Sequence, residues 1–316
     1  MKEIYDVSAL ILTYNPNLQK LLMTLKSFLL QKGLLLQIIV SDDGSEENYF
    51  TEVERMFKKY NFTKYKLVKN ESNVGTVKNL IGGLAVCQGK YVKTLSPGDF
   101  INGEYTLFRW MQKMQSEQLV AACADVIYYR TRKDGKQEAV SQKTHPQRKN
   151  LVGRKLKVSY LLCDDIFLGA AIMCETKTFR YYLNIISGKV IYAEDNVLRL
   201  MVFDDKKVGF FDEEAIIYEI GDGISTQGSV KWARLLRKDW EAADKIIINL
   251  PTKDLEFKNK FITIAKMKLE NKSNQINKLL RYCMISDIFF YKLKTKFNSR
   301  LSSKILPTQW LSRLQS

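Results

Sequence analysis

The stretch that decides the predicted fold is Ile38-Ile39-Val40-Ser41-Asp42-Asp43-Gly44-Ser45. It is an apolar strand that stops abruptly at two carboxylates and a turn residue. In a parallel α/β sheet the carboxyl ends of the strands face the crevice where ligands bind, so side chains just past a strand end point at the ligand. The stretch therefore predicts a strand end that contacts a ligand.

Two further predicted strands also end in polar residues. Residues 7–12 precede Thr13-Tyr14-Asn15, and residues 91–95 precede Ser96-Pro97-Gly98-Asp99. Because parallel strands share one carboxyl edge, we expect the three strand ends to converge on a single cleft.

Apolar runs of strand length alternate with segments of helical period through the first half of the chain. This alternation predicts an α/β fold with a doubly wound, mostly parallel sheet and flanking helices. Residues 137–150 show no periodicity, which predicts a mobile loop. The predicted strands are 7–12, 36–40, 65–68, 91–95, 120–129 and 167–173, and the predicted helices are 17–31, 46–60, 76–87, 102–116, 177–186 and one that opens at 194–195.

Composition excludes several classes of site. The five cysteines form no CxxC pair, which argues against a zinc ribbon, a disulfide framework or a redox dithiol. His145 is the only histidine, so neither a histidine-based triad nor a multi-histidine metal site can be built. The sequence has no P-loop motif, no signal-peptide pattern and no apolar run of about 18 residues. We expect a cytoplasmic protein, either soluble or peripheral at the inner face of the cell membrane.

Five sequence blocks occur in an order that resembles family 2 glycosyltransferases, inverting enzymes of the GT-A fold that move a sugar from a nucleotide diphosphate donor. The resemblance covers residues 5 to about 226 and implies a catalytic domain over residues 1–226, with a nucleotide-binding half at about 1–100 and an acceptor half at 101–226. The blocks are Thr13-Tyr14-Asn15, Asp42-Asp43-Gly44-Ser45, Asn73-Val74-Gly75, Ser96-Pro97-Gly98-Asp99 and Glu194-Asp195.

The resemblance implies that the polar strand ends bind the donor. It places Thr13, Tyr14 and Asp43 around the base and ribose, with Asp43 accepting a hydrogen bond from a pyrimidine ring. Asn15 and Asp42 either contact the donor as well or cap the following helices, because Asn and Asp are favoured N-caps.

Two glycine-containing segments are further candidates for donor contacts. Asn73 and Gly75 precede a predicted helix that carries Lys78, and a helix start can approach phosphate or ribose, although a plain capped helix explains the same residues. Ser225 and Thr226 follow a glycine pair and would face the diphosphate if their segment closes over the donor. An ordinary surface turn is the alternative for that segment.

Asp99 is the candidate metal ligand. The leaving nucleoside diphosphate gathers negative charge, which Mn²⁺ or Mg²⁺ held by carboxylates neutralises in many enzymes. The family's usual motif here is Asp-x-Asp or Asp-Asp, whereas this chain has Ser96 and Gly98, which we count among the donor-binding residues, and keeps only Asp99. We therefore expect metal binding that depends on bound donor. The alternative is that the loop is only a strand-terminating turn.

An inverting transfer also needs a base that takes the proton of the acceptor hydroxyl. The resemblance assigns this role to Asp195, with Glu194 orienting the acceptor or neighbouring backbone. The alternative is a helix N-terminus that merely favours acidic residues.

The C-terminal part is strongly basic. Residues 253–316 hold fourteen Lys or Arg and four Asp or Glu, and so supply +10 of the formal net charge of +16. We predict a basic helical region over residues 227–316 whose apolar face either lies on an anionic membrane or packs on the catalytic domain or in a homodimer. No nucleic-acid-binding motif accompanies the charge, so nucleic acid is not an expected partner. The predicted apolar face of this helical region comprises Ile276, Leu279, Leu280, Cys283, Phe290, Leu293 and Phe297.

Together these features predict an inverting, metal-assisted glycosyltransferase. Its donor would be a nucleotide diphosphate sugar, preferably a UDP-sugar, and its acceptor a hydroxyl of a glycan or lipid-linked glycan in bacterial capsule or other cell-surface polysaccharide synthesis. The alternatives are a nucleotide-sugar-binding protein without turnover and a basic nucleic-acid-binding protein.

Overall fold

A computed structural model describes residues 4–132, 134–146, 151–163, 167–221, 229–270 and 299–316. The strands are β1 Tyr5–Thr13, β2 Leu36–Asp42, β3 Tyr65–Lys69, β4 Gly89–Leu95, β5 Phe100–Ile101, β6 Ala121–Thr131, β7 Gln137–Ala139, β8 Lys143–Pro146, β9 Ile172–Glu175, β10 Val208–Glu219 and β11 Ser299–Leu301. The helices are α1 Leu18–Leu29, α2 Phe50–Lys59, α3 Thr76–Ala85, α4 Thr106–Ser116, α5 Arg154–Lys157, α6 Thr176–Ile186, α7 Asn196–Phe203, α8 Val230–Asn249, α9 Leu255–Glu270 and α10 Thr308–Gln315.

One mixed sheet lies at the centre of the described ranges, in the order β3-β2-β1-β4-β9-β6-β10-β5, with β7 beside β6. Strands β1 to β4 are parallel to one another. β9 is antiparallel to both β4 and β6, so β6 and its parallel neighbour β10 run in the same direction as β4. The carboxyl ends of all these parallel strands therefore lie along one edge, which confirms the predicted α/β fold.

Alternate residues of the central strands point into two apolar layers, as the pleat of a strand requires. Leu10 and Ile39 belong to the layer that contains α3, α6 and α7, whereas Ala9 and Ile38 belong to the layer that contains α1, α2 and α4. Because both faces of the sheet are covered, β2 is buried along its whole length. This explains why its sequence is a nearly continuous apolar run.

Two local predictions in the second half are wrong. Residues 137–150, predicted as a loop, contain β7, which pairs with β6, and β8, which pairs with β11. Because β11 lies near the C-terminus, the local sequence around β8 gives no sign of this pairing. The strand predicted at 167–173 begins only at Ile172, because Gly169–Ala171 form a 3₁₀ turn. A Cβ on Gly169 would lie 3.0 Å from Glu194 Oε1, so the chain at this turn passes close to the predicted catalytic pair.

The predicted C-terminal helices are present. Apolar residues of α8 and α9, such as Ile247 and Phe261, join the core layer that contains α6 and α7. The division of the chain at residue 226 stays a prediction, and the apolar face predicted within residues 276–297 lies outside the described residues. Among the helices that the structure describes, none combines the length and apolarity needed to cross a membrane.

Helix α10 returns to the sheet beside β5. Leu311 and Leu314 pack in a small apolar cluster with Met23 and Phe100. The indole N–H of Trp310 in the same helix donates a hydrogen bond of 2.9 Å to the carbonyl of Ile101. The end of the chain thus supports the segment that follows the β4 loop.

Candidate active site

Asp42, the last residue of β2, is fully buried and bonded within the protein. Its Oδ1 accepts hydrogen bonds from the hydroxyls of Thr13 at 2.9 Å and Ser45 at 2.6 Å, and its Oδ2 accepts the Ser45 backbone N–H at 2.8 Å. The alternative that Asp42 caps a helix is wrong, because α2 begins only at Phe50. This geometry favours a supporting role, in which Asp42 fixes the β1 and β2 ends together.

Asp43 joins the end of β2 to the start of α3. Its Oδ1 accepts the Val74 N–H at 2.9 Å and the Asn70 side-chain amide at 3.1 Å, and its Oδ2 accepts the Gly75 N–H at 2.9 Å. The N–H groups that we expected to approach phosphate or ribose therefore hold the protein's own carboxylate. Since a carboxylate offers about four acceptor positions, one remains for a donor group.

The residues after β1 divide into bonded and exposed ones. The Asn15 N–H donates to Ser45 Oγ at 2.7 Å, and the Asn15 side-chain oxygen accepts the Glu46 N–H at 3.3 Å. Asn17, and not Asn15, is the N-cap of α1, so the capping alternative for Asn15 is also wrong. Tyr14 is 53% exposed, which suits its predicted place beside a nucleotide base.

The start of α3 touches the segment that precedes the predicted catalytic pair. Asn73 and Lys78 are exposed, whereas Gly75 is buried with a φ of 89°. A Cβ on Gly75 would lie 2.5 Å from Ile191 Cγ2, so only glycine fits this approach. The Val77 N–H donates to the Ile191 carbonyl at 2.9 Å.

The loop after β4 lies against a largely buried ion pair. Gly98 has a φ of 105°, and a Cβ there would lie 2.5 Å from Glu219 Oε2. The same oxygen accepts a hydrogen bond of 2.7 Å from the Lys20 ammonium. Ser96, two residues earlier, is exposed. The backbone of this loop at Gly98 therefore packs on a carboxylate from β10.

Asp99 lies beneath this loop and is only 8% exposed. Its Oδ1 accepts the Glu219 backbone N–H at 3.1 Å. Burial raises the pKa of Asp99 to about 7, although that N–H and the Lys93 ammonium oppose the shift. Lys93 is itself fully buried, donates to the carbonyls of Thr94 and Ala170 at 2.6 Å, and has its pKa lowered by burial to about 7.

These side chains do not fit a carboxylate-held divalent ion. Ser96 and Gly98 bring no carboxylate to the loop, and Asp99 is buried with one oxygen already bonded. Within the part of the chain that the structure describes, no three His, Cys, Asp or Glu side chains are grouped to hold a metal. Asp99 as a metal ligand stays a prediction that the described side chains do not support.

Glu194 and Asp195 lie in the turn directly before α7, with Asp195 at the N-cap position. Both side chains are half-buried. Burial raises the pKa of each carboxyl, and the negative charge of Asp195 raises that of Glu194 further. Arg199 and the N–H groups at the helix start oppose the shift of Asp195, so Asp195 is the more acidic member of the pair.

Contacts connect the strand end predicted to bind the donor to this pair. Asp43 holds the N–H of Gly75, Gly75 packs against Ile191, and Ile191 is three residues from Glu194. A run of contacts therefore connects three of the predicted blocks.

A second set of contacts connects the β4 loop to the same pair. The charge of Lys93 acts on Asp99, and the Lys93 ammonium bonds to the carbonyl of Ala170. The adjacent Gly169 faces the Glu194 carboxylate. Contacts thus connect Asp43, Asp99 and the Glu194-Asp195 pair. Ser225 and Thr226, the predicted diphosphate contacts, lie outside the described residues.

Residues 8–176 match the sequence model of glycosyl transferase family 2, which is more than half of the chain. The chain belongs to this family. The matched region contains the four blocks up to Asp99 and ends before Glu194 and Asp195, so the predicted catalytic pair lies in the part that the family model does not cover. No curated protein matches the chain significantly.

Solved structures show the same GT-A fold. Residues 1–349 of S. aureus TarS superpose with a TM-score of 0.58 at 17% identity, covering 84% of this chain and 71% of that one. The same TarS fragment in complex with UDP-GlcNAc gives 0.57 at 15% identity, covering 83% and 70%. Mannosyltransferase PcManGT from Pyrobaculum calidifontis, in complex with GDP-Man and Mn²⁺, gives 0.55 at 11% identity, covering 93% and 84%.

Two charged residues beside the predicted site residues were not selected from the sequence. Lys20 and Glu219 form their ion pair across 199 residues of sequence, so no local pattern connects them. Glu219 did carry a signal, because it is an acidic residue that ends the apolar run Ala215 to Tyr218 at the carboxyl end of a strand. The same rule that selected Asp42 and Asp43 would have selected Glu219.

Proposed function

We propose that this chain transfers a sugar, with inversion, from a nucleotide diphosphate sugar to a hydroxyl of a glycan or lipid-linked glycan. The observation that carries the proposal is the continuous contact from Asp43 through Gly75 and Ile191 to the Glu194-Asp195 turn. These contacts join the strand end that we propose binds the donor to the carboxyl pair that we propose accepts the proton, and membership of glycosyl transferase family 2 supports the reaction class.

The donor is proposed to be a UDP-sugar. The remaining acceptor position of Asp43 suits the ring N–H of uracil, and the exposed Tyr14 ring suits a base beside it. A TarS structure with bound UDP-GlcNAc supports this choice. PcManGT binds GDP-Man on the same fold, so the base is a point for experiment.

Asp195 is proposed as the base. The acceptor hydroxyl attacks the anomeric carbon while the bond from that carbon to the diphosphate oxygen breaks, through an oxocarbenium-like transition state. The hydroxyl proton passes to Asp195, which is the member of the carboxyl pair that ionises first. Glu194, with its pKa raised, remains protonated to higher pH and can donate a hydrogen bond that orients the acceptor.

The leaving diphosphate is proposed to meet Lys78, which is exposed on the first turn of α3, together with Ser225 and Thr226. Assistance by Mn²⁺ or Mg²⁺ remains part of the family expectation. Because the described side chains do not form a metal site, we assign no step of the transfer to such an ion.

The cellular role is proposed from charge and family. Residues 253–316 carry a net +10, and each basic residue near an anionic membrane contributes about 1 kcal/mol of binding. This supports a cytoplasmic enzyme, peripheral at the membrane, that acts in bacterial cell-surface or capsule polysaccharide synthesis. Packing of the basic region in a homodimer is the alternative.

The test is a panel of UDP- and GDP-sugars, each incubated with the purified chain with and without Mn²⁺. We expect one donor to raise the melting temperature, as ligand linkage requires, and to release its nucleoside diphosphate slowly. A donor that stabilises the protein without any turnover would instead support a nucleotide-sugar-binding protein, which the poor metal motif favours as the second candidate. Co-purifying nucleic acid, seen as a raised 260/280 nm absorbance ratio, would support the third candidate, a basic nucleic-acid-binding protein.

A further inference from the structure

Helix α8 reaches the segment that precedes the catalytic pair. Asp239 on this helix is only 3% exposed. Its Oδ1 accepts the Ile191 N–H at 3.1 Å, and its Oδ2 accepts the N–H groups of Tyr192 at 2.6 Å and Ala193 at 3.0 Å. One buried carboxylate therefore fixes three consecutive amides, and the next residue in the chain is Glu194.

The arrangement requires a carboxylate rather than any polar side chain. An amide of the same shape has one acceptor oxygen and would turn its NH₂ group toward at least one backbone N–H. A buried carboxylate is unfavourable unless it is hydrogen-bonded, and here the three N–H groups satisfy it. The three N–H groups thus stabilise the buried charge of Asp239, and the carboxylate in turn fixes the conformation of residues 191–193.

The same helix also holds the residues that follow the pair. Arg199 of α7 is buried and donates to Asn196 Oδ1 at 3.0 Å and to Asp244 of α8. Its guanidinium lies 4.8 Å from the ring centre of Trp240, also in α8. Helix α8 therefore anchors the chain on both sides of the Glu194-Asp195 turn.

We propose that Asp239 is the positioning residue of the sugar transfer, holding residues 191–193 so that Asp195 meets the acceptor hydroxyl. This proposal rests on the proposed function, because it assigns Asp239 a part in that reaction. It also gives α8 a task that the family match does not cover, since that match ends at residue 176.

Asp239 has an electrostatic effect that a purely structural residue would lack. Asp195 is faced by Glu194 and Arg199 of its own segment, by Tyr160, which lies in the segment after α5, and by Asp239 of α8. The Asp239 charge raises the pKa of both carboxyls of the pair. Removing this charge lowers those pKa values, so the acid limb of the pH profile moves to lower pH.

The test is the Asp239→Asn variant, assayed over a pH series with the donor that the panel identifies. We expect kcat to fall by about tenfold or more, because a base held away from the acceptor hydroxyl takes its proton less efficiently. The donor KM should stay within about twofold of the wild-type value, because no donor contact is removed. The acid limb should shift downward in pH. Glu241→Gln is the matched control, since it removes the same charge from the same helix at a surface pair with Arg237. It should change neither kcat nor the position of the acid limb.

Asp239→Glu gives the second measurement. It keeps the charge but displaces the carboxylate, so we expect the loss of kcat without the shift of the acid limb. This variant also carries the test if Asp239→Asn does not fold. A folded variant at position 239 with wild-type kcat and an unmoved acid limb would overturn the proposal.

Hydrogen exchange separates this proposal from the proposed function. The amides of residues 191–193 should exchange faster in the Asp239 variants than in wild type, whereas their exchange rates in Glu241→Gln should equal those of wild type. This comparison can be made whether or not a donor has been found. Unchanged exchange at these amides overturns the positioning role. A wild-type chain that turns over no donor overturns the proposed function. It also overturns a role of Asp239 in the transfer, even if the exchange data show that Asp239 holds residues 191–193.

Discussion

The Asp43 carboxylate accepts a hydrogen bond of 2.9 Å from the backbone N–H of Gly75, which joins the end of β2 to the start of α3. A second bond to Val74 and a third to Asn70 complete the connection. The residue that the resemblance assigns to the base of the donor is therefore also a structural anchor. Its substitution should affect both stability and donor affinity.

We predict that Asp43→Asn lowers the free energy of unfolding by about 1–3 kcal/mol, because an amide leaves at least one buried N–H without a partner. The donor KM should rise in the same variant. Urea denaturation and initial-rate kinetics measure the two effects. Asn73→Ala, at an exposed position beside the same helix start, should stay within about 0.5 kcal/mol of wild type. A donor KM that does not change in Asp43→Asn would show that Asp43 does not bind the donor.

Gly44 gives a prediction about the turn after β2. Its φ is 74°, and a Cβ would lie 2.5 Å from the backbone carbon of Ser72. Gly135 has a similar φ of 80°, but a Cβ there would meet nothing within 4 Å. We expect Gly135→Ala to destabilise by about 1 kcal/mol from backbone strain alone, and Gly44→Ala by at least about 2 kcal/mol more because backbone must move. Equal thermal shifts for the two variants would contradict the packing of the Gly44 turn.

Asp195→Asn should reduce kcat by about 10²- to 10⁴-fold, the usual contribution of a general base. Donor binding should be retained, so the thermal shift caused by the donor should match that of the wild type. Glu194→Gln should lose less activity, because an amide can still donate a hydrogen bond to the acceptor. If Asp195→Asn turns over at the wild-type rate, the base lies elsewhere.

The buried Asp99 should make stability depend on pH. Its pKa is raised by burial from the ordinary value to about 7 in the folded state. Between these values the unfolded chain loses a proton that the folded chain keeps, so the stabilisation is complete below the ordinary pKa and is lost as the pH rises through 7. We expect wild type to lose up to about 4 kcal/mol between pH 4 and pH 8 relative to Asp99→Asn, at about 1.4 kcal/mol per pKa unit. Parallel unfolding curves for both proteins across this range would show that Asp99 does not titrate there.

Metal binding is expected to be weak in the absence of donor. Titration calorimetry with Mn²⁺ should detect no site of micromolar affinity in the free protein, since the described residues contain no group of three ligands. Adding UDP should be required before any heat of binding appears. Tight Mn²⁺ binding by the free chain would indicate a site formed by residues that the structure does not describe.

The first half of the fold was predictable because its signals are local. The predicted helix at 76–87 and the observed α3 at Thr76–Ala85 begin at the same residue, since Gly75 marks the start and apolar periodicity marks the face. The second half depends on distant partners. β8 is extended because β11 pairs with it, and the strand after Phe167 is delayed because Gly169 must turn beside Glu194.

The site shows the same limit. Asp42 and Asp43 carry the same signal in the sequence, two adjacent acids after a strand, yet their partners differ completely. Asp42 bonds to Thr13 and Ser45, whereas Asp43 bonds to the start of α3. Which carboxylate supports the loop and which retains a position for a ligand is decided by hydroxyl and backbone N–H groups about thirty residues away in the sequence, and strand-end patterns contain no information about them.

The position of β10 has a consequence for how the protein is made. This strand lies between β6 and β5, and it is the last of the large sheet's strands to leave the ribosome. If β6 folds before β10 is synthesised, it has an unpaired edge, which is a template for aggregation. Pairing of β10 with β6 would remove that edge and bring the Glu219 N–H to Asp99. Chaperone demand during translation should therefore peak just before this strand emerges and fall once the sheet is complete.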